Sequence, residues 1–150
     1  MRIYIDTSVI NGLFAQDVDI KKETQRFLKN AETLGYKLYI SEATIEEIEN
    51  TPDNSKKILL KEIVTKHEME ILSTTEEAKT LAQEYVKAGL IPKKYFTDAF
   101  HIAIASIYNI PAIISWNFEH IVRIKTKLGV NTINKRDNYP EITICSPKEV

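Results

Sequence analysis

The sequence contains little cysteine and little glycine: one cysteine, Cys145, and four glycines in 150 residues. A lone cysteine cannot form a disulfide within the chain, which predicts a protein of a reducing compartment. The chain has no G-x-x-x-x-G-K-[ST], G-x-G-x-x-G or G-x-S-x-G motif. The phosphate-binding loops of nucleotide-binding proteins and the nucleophile elbow of serine hydrolases are therefore poorly supported.

Long apolar runs and an excess of charge of one sign are absent as well. Every apolar stretch is far shorter than the ~20 residues that span a bilayer, and the N-terminal segment reaches the charged residue Asp6 too early for a signal peptide. We therefore expect a cytoplasmic protein without membrane association. Twenty basic and 21 acidic side chains give a formal net charge of -1, so the basic clusters permit a polyanionic substrate without implying one.

Short β-rich runs alternate with helical stretches, which predicts one α/β domain over residues 1–150 with a parallel sheet covered on both faces. The predicted strands are 2–5, 37–40, 70–72, 112–115 and either 129–133 or 142–145. The predicted helices are 19–34, 42–50, 55–67, 75–88, 97–109 and 117–127. A strand order of 3-2-1-4-5 would reverse between the first and fourth strands, where open α/β sheets bind ligands.

Three acidic residues far apart in the sequence are expected at the carboxyl edge of that sheet. Asp6 leaves the first strand, Glu47 lies in the helix after the second strand, and Asp98 begins the helix before the fourth strand. In a right-handed crossover the helix N-terminus lies at the edge where the strands end. Asn117, which leaves the fourth strand, belongs to the same edge. The simpler interpretation of Asp98 is a capping acid on a helix that Thr97 also caps.

Three carboxylates packed together repel one another unless a cation neutralises them, and ligands that are all oxygen suit Mg²⁺ or Mn²⁺. Zinc is disfavoured, because the spacing of the three histidines matches no usual zinc motif; they are His67, His101 and His120. His101 follows Asp98 by three residues, so it either lies near the site or is a hydrogen-bonded core histidine. The hydroxyls of Thr7 and Ser8 either bind a ligand carboxylate or a phosphate, or serve the local turn.

Four segments carry a resemblance to a known family: Tyr4–Ile10, Ile40–Ile48, Thr97–Ala105 and Ile114–Ile121. Together they resemble the motifs of PIN-domain proteins, and more narrowly those of the toxin in VapBC-type toxin–antitoxin pairs. The resemblance implies a three-layer α/β/α fold and a ribonuclease that requires Mg²⁺ or Mn²⁺. It also implies that the first three acids are catalytic and bind the metal.

The second and fourth positions of the motif need a choice. Glu46 and Glu47 compete for the second acid; Glu47 is preferred because the family pattern places the acid directly before an aliphatic residue, here Ile48. Many members carry Asp at the fourth position, where this chain has Asn117. An amide still offers an oxygen ligand, although it lowers the charge of the site and weakens the case for a second metal.

The resemblance also implies RNA, a cognate antitoxin and a second copy of the chain as partners. Apolar residues beyond the needs of the sheet would supply the contact surfaces, and the candidates are Phe27, Leu28, Ile58, Leu59 and Ile63. Two other functions stay open. One is a catalytically weak PIN-like module that binds RNA or protein, with Asn117 as a sign of lost catalysis; the other is a metal-dependent phosphatase of small molecules.

Overall fold

A five-stranded parallel sheet forms the centre of the structure, a computed structural model that describes all 150 residues. The strands are β1 (Arg2–Ile5), β2 (Lys37–Ser41), β3 (Glu70–Leu72), β4 (Ala112–Ile114) and β5 (Thr143–Cys145). Their order is β3-β2-β1-β4-β5, and every neighbouring pair is parallel. The predicted fold class and the order 3-2-1-4-5 are therefore confirmed.

Seven α-helices cover the two faces of the sheet. They are α1 (Thr7–Gly12), α2 (Val18–Thr33), α3 (Glu42–Glu49), α4 (Asn54–Lys66), α5 (Glu76–Lys87), α6 (Phe96–Ile107) and α7 (Ile124–Arg136). Short 3-10 helices lie at Lys93–Tyr95 and Pro147–Glu149. None of the helices is long and apolar enough to cross a membrane.

Strand side chains alternate between two apolar cores, one on each face of the sheet. Ile3 and Ile5 of β1 belong to the core beneath α1, α2 and α4, whereas Tyr4 belongs to the core that includes α5, α6 and α7. Successive residues of a strand point to opposite faces, and both faces of a parallel sheet are buried. The strands are consequently almost continuously apolar. Such short apolar runs are recognisable in the sequence.

Helix α6 is apolar on nearly every side because it packs between the sheet and α5. It begins at Phe96, and no side chain caps its N-terminus. The predicted cap at Thr97 is therefore wrong. Asp98 lies in the first turn of this helix, at the edge of the sheet where β1 and β4 end.

The segment after β4 differs from the prediction. The expected helix over 117–127 is correct only for residues 124–127, because residues 118–121 form a turn and α7 begins at Ile124. The possible strand at 129–133 is also wrong; these residues lie in α7, where Val130 and Ile133 are buried at helical spacing. The alternative strand at 142–145 is confirmed, since β5 pairs with β4 through Ile144 and Ile113.

Candidate active site

Asp6 lies at the point where the strand order reverses. Ile5 of β1 pairs with Ile114 of β4, so the residues that follow them, Asp6 and Ser115, leave the sheet side by side. Ser115 donates a hydrogen bond from Oγ to Oδ2 of Asp6 (2.6 Å), and Ser8 donates one to Oδ1 (2.5 Å). Both oxygens of the buried Asp6 carboxylate are therefore held by hydroxyl groups.

Glu47 of α3 reaches the same edge. Its Oε1 accepts hydrogen bonds from Oγ1 of Thr7 (2.8 Å) and from Nε2 of His101 (2.6 Å). Oε2 accepts no hydrogen bond, and the side chain is half-exposed. Glu46 is exposed and makes neither contact. Of the two competing glutamates, Glu47 is the one that the fold places beside the other acids.

A buried chain of hydrogen bonds connects Glu47 to the core. Nδ1 of His101 lies 2.6 Å from the hydroxyl of Tyr4, and this hydroxyl lies 2.8 Å from Oγ of Ser41. Burial acts to lower the pKa of His101, but interactions with Tyr4, Glu47 and Asp6 raise this pKa to about 10. When His101 is protonated, one of its ring N–H groups donates to Glu47 and the other to Tyr4.

Asn117 contacts Asp98 through its amide nitrogen. Nδ2 of Asn117 donates to Oδ2 of Asp98 (3.1 Å), while Oδ1 of Asn117 accepts the backbone N–H of His120 (2.9 Å). The amide oxygen thus already has a partner within the turn. Oδ1 of Asp98 accepts no hydrogen bond, which leaves it free for a ligand. The role of Asn117 as a metal ligand stays a prediction.

The electrostatics of the acids differ because their partners differ. Burial raises the pKa of Asp6 despite the opposing effects of His101, Ser115 and Ser8. Burial and then the charge of Asp6 raise the pKa of Asp98. Burial also acts to raise the pKa of Glu47, but the hydrogen bond and charge of His101 outweigh it, so this pKa is lowered. A further positive charge nearby would favour the ionised forms of Asp6 and Asp98.

The donor set fits a hard cation. Two carboxylate oxygens of the site accept no hydrogen bond, Oε2 of Glu47 and Oδ1 of Asp98, and the acids repel one another. No group of three or more His, Cys, Asp or Glu side chains is arranged so that together they could hold a metal ion. Mg²⁺ does not require one, because it is usually held by one or two carboxylates together with water and substrate phosphates.

Two residues of the site were missed or left open by sequence reasoning. Sequence reasoning placed Ser115 at this edge, in the segment that leaves the fourth strand, but gave it no role; its position directly after a short apolar strand next to β1 was the available signal. For His101 the sequence left two alternatives open, a hydrogen-bonded core histidine or a residue near the site. The structure shows both, because His101 contacts the buried Tyr4 and Glu47 of the site. The hydroxyls of Thr7 and Ser8 each bind a carboxylate of the site.

The fold and this site together define an α/β protein with an acidic site at the carboxyl edge of its sheet. The family model of the PIN domain matches residues 3–125, so the chain belongs to the PIN-domain family. PIN domains are generally nucleases that use divalent metals.

The same fold is found in a chain of the crystal structure of VapBC2 from Rickettsia felis. In that structure VapBC2 is bound to a DNA fragment from its own promoter. The TM-score is 0.58 at 14% sequence identity, and the match covers 97% of this chain and 98% of the other. No curated protein sequence matches this chain.

Replacing Asn117 by Asp should make the protein more dependent on metal. The substitution removes the donor to Asp98 and places a second carboxylate against it, so we expect Asn117→Asp to lower the melting temperature in EDTA. The added charge should increase the stabilisation by Mn²⁺. Thermal melts with and without Mn²⁺ measure both effects. Asn138→Asp, at an exposed position past the end of α7, is the control, and an Mn²⁺ response equal to wild type in Asn117→Asp would contradict the prediction.

Proposed function

We propose that this protein is a ribonuclease that hydrolyses RNA phosphodiester bonds with Mg²⁺ or Mn²⁺, and that it is the toxin of a VapBC-type toxin–antitoxin pair. One observation carries the proposal: Asp6, Glu47 and Asp98 of a PIN-domain protein meet where the strand order reverses, close enough for their charges to interact. The fold shared with a chain of VapBC2 supports the toxin assignment.

The residues of the site have separable roles in this proposal. A bound divalent cation supplies activation of the attacking water and neutralisation of phosphate charge. Asp6 and Asp98 would hold the cation, and Glu47 would bind it or orient the water through its free Oε2. Two pairs of donors fix these acids: Ser8 and Ser115 hold Asp6, and Thr7 and His101 hold Glu47.

The direct test is incubation of the purified protein with RNA, with and without Mn²⁺. Cleavage that requires the metal supports the proposal. Binding of RNA without cleavage would indicate the PIN-like binding module instead. Turnover of a simple phosphomonoester with no cleavage of RNA would indicate the phosphatase.

Substitution of the acids distinguishes their effect on RNA cleavage from their effect on the stability of the fold. We expect Asp98→Asn and Glu47→Gln each to reduce the rate of RNA cleavage on the order of 10²-fold or more, because each removes a carboxylate that would bind the cation or orient the attacking water. Asp98→Asn should also raise the melting temperature in EDTA, since the repulsion from Asp6 disappears. Initial rates and thermal melts measure these effects.

The matched control is Glu46→Gln, which removes the same charge from the neighbouring exposed residue. This variant should keep the wild-type rate. Equal losses in Glu46→Gln and Glu47→Gln, or full activity in Asp98→Asn, would contradict the assignment of the acids.

The affinity for Mn²⁺ should fall as the pH decreases. Protons compete with the metal at Asp6 and Asp98, and burial raises the pKa of both carboxyls above that of an ordinary Asp, about 3.9. The metal-free protein should respond in the opposite direction. Because its folded state binds these protons more tightly than the unfolded chain does, the same groups favour folding as the pH falls towards their raised pKa values.

Calorimetric titration with Mn²⁺ at several pH values between neutrality and mild acid measures the first effect. Asp98→Asn should show a weaker pH dependence than wild type. An affinity that does not change over this range would show that neither aspartate binds the metal.

We further propose a homodimer that binds a cognate antitoxin in the cytoplasm. The predicted surface on α2 is wrong, because Phe27 and Leu28 are buried in the core. Ile58 and Leu59 of α4 remain, with 58% and 44% of their surfaces exposed, while Ile63 is partly buried. The antitoxin would inhibit by placing a basic side chain against the three acids, where it competes with the cation and blocks phosphate entry.

Light scattering at micromolar concentration tests the dimer. We expect about twice the chain mass of 17.2 kDa, and we expect Ile58→Lys to shift the protein towards the monomer because it charges an apolar contact surface. Leu128→Lys on α7, which is also exposed, is the control. A clean monomer of the wild-type protein would contradict the dimer.

A further inference from the structure

The only tryptophan of the chain, Trp116, lies in the turn after β4 between two residues that contact the acids. Ser115 before it donates to Asp6, and Asn117 after it donates to Asp98. The indole of Trp116 makes no hydrogen bond to either acid; its ring packs beside the core beneath α1 and α2. Any effect of this ring on the site must therefore pass through other residues.

The indole of Trp116 is anchored on α2. Its Nε1 donates to Oγ1 of Thr24 (2.9 Å). Thr24 is fully buried, and its own hydroxyl donates to the carbonyl of Ile20 (2.6 Å). A hydroxyl group has a single hydrogen and accepts with its lone pairs. Because that hydrogen is directed at Ile20, Oγ1 of Thr24 is held as an acceptor for the indole.

Gly12, the last residue of α1, leaves the space for this hydrogen bond. A Cβ atom built on Gly12 would overlap Oγ1 of Thr24 and would lie 2.9 Å from Nε1 of Trp116. Gly12 does not have a positive φ, so backbone conformation does not require glycine here. The close approach of α1 to the bond between Trp116 and Thr24 does require it.

The backbone of Trp116 orients a hydroxyl group that holds Asp6. The N–H of Trp116 donates to Oγ of Ser8 (2.9 Å), and Ser8 donates to Oδ1 of Asp6 (2.5 Å). Because Oγ of Ser8 accepts from this N–H, its single hydrogen is left for the carboxylate. The next N–H does the same on the other side: Asn117 donates to Oγ of Ser115 (2.9 Å), which donates to Oδ2 of Asp6 (2.6 Å).

Packing by itself explains only part of this arrangement. An aromatic ring beside a core contributes to stability through its buried area, and a phenylalanine ring would do so as well. Packing does not require a hydrogen bond from the indole or a glycine beside it. Both features fix the ring in one orientation, and the N–H of the same residue is the group that orients Ser8.

We propose that Trp116 is a positioning residue for the acidic site, because its indole, fixed between Gly12 and Thr24, sets the turn after β4. That turn directs the two hydroxyls that hold the carboxylate of Asp6. The inference rests on the proposed ribonuclease function. It adds to that function three residues whose side chains make no hydrogen bond to an acid of the site.

Three substitutions loosen the anchor in different ways. Trp116→Phe removes the indole N–H, Thr24→Val removes its acceptor, and Gly12→Ala forces the two groups apart. We expect each to lower kcat for RNA cleavage about fivefold or more with KM changed by less than about twofold, because misplaced groups mainly cost rate. The affinity for Mn²⁺, measured by calorimetric titration without RNA, should fall about fivefold or more as well.

Two further variants distinguish positioning from stability. Thr24→Ser keeps the hydroxyl that accepts from the indole and should keep kcat close to the wild-type value. Tyr85→Phe is the matched control, because it also removes a buried hydrogen bond of an aromatic side chain, the one to Asn134, but in the core on the other face of the sheet. It should lower the melting temperature without changing kcat or the affinity for Mn²⁺.

The fluorescence of Trp116 reports directly whether the ring has moved, because the chain has no other tryptophan. Thr24→Val and Gly12→Ala should shift the emission maximum to longer wavelength, as a ring that moves towards water does, while the far-UV circular dichroism stays that of the wild type. An unchanged emission maximum in both variants would overturn the anchor and with it the inference.

The possible results separate this inference from the proposed function. Wild-type kcat and Mn²⁺ affinity in variants with shifted emission, or equal losses in Tyr85→Phe, would overturn the inference alone. If the wild-type protein binds Mn²⁺ but cleaves no RNA, the proposed function fails and the Mn²⁺ affinities of the variants decide the inference. If it does not bind Mn²⁺, both fail. Losses confined to the three loosening variants support the inference.

Discussion

The structure depends on one electrostatic constraint, which is the crowding of carboxylates at the carboxyl edge of the sheet. Asp6 is buried, and its charge raises the pKa of Asp98. A folded protein tolerates such a cluster only if other groups offset the repulsion. Here the hydroxyls of Ser8 and Ser115 donate to Asp6, and the buried ring of His101 bonds to Glu47. The repulsion among the carboxylates that these groups do not offset favours the binding of a divalent cation.

The supporting groups connect the site to the rest of the fold. The chain from Glu47 through His101 to Tyr4 and Ser41 reaches from the half-exposed edge into the core between the sheet and α6. The partners of His101 outweigh the effect of burial and raise its pKa. The orientation of Glu47 is set by the packing of β1 and α6. Buried titratable groups with shifted pKa values are typical of functional sites.

The turn after β4 links the acids to the surface around them. Asn117 donates to Asp98 and accepts from His120, whose ring lies beneath Tyr95. A single side chain thus positions an acid and the support of an exposed aromatic ring. Compared with an Asp at this position, Asn117 supplies a hydrogen-bond donor to Asp98 and carries no negative charge. This gives Asn117 a structural role that is separate from any contact with metal.

The sequence by itself indicated a parallel sheet and the edge of it to which the acids belong, while the strand order 3-2-1-4-5 was a hypothesis that only the structure decided. Short apolar runs identify buried parallel strands, and the handedness of the crossovers then fixes which ends share an edge. Only the tertiary structure decided the rest. The helix expected over 117–127 begins only at Ile124, after a turn in which the side chain of Asn117 accepts the N–H of His120. The partners of Asp6 and Glu47 depend on strand register and on the packing of α6, and these are set by contacts between residues that are far apart in the chain.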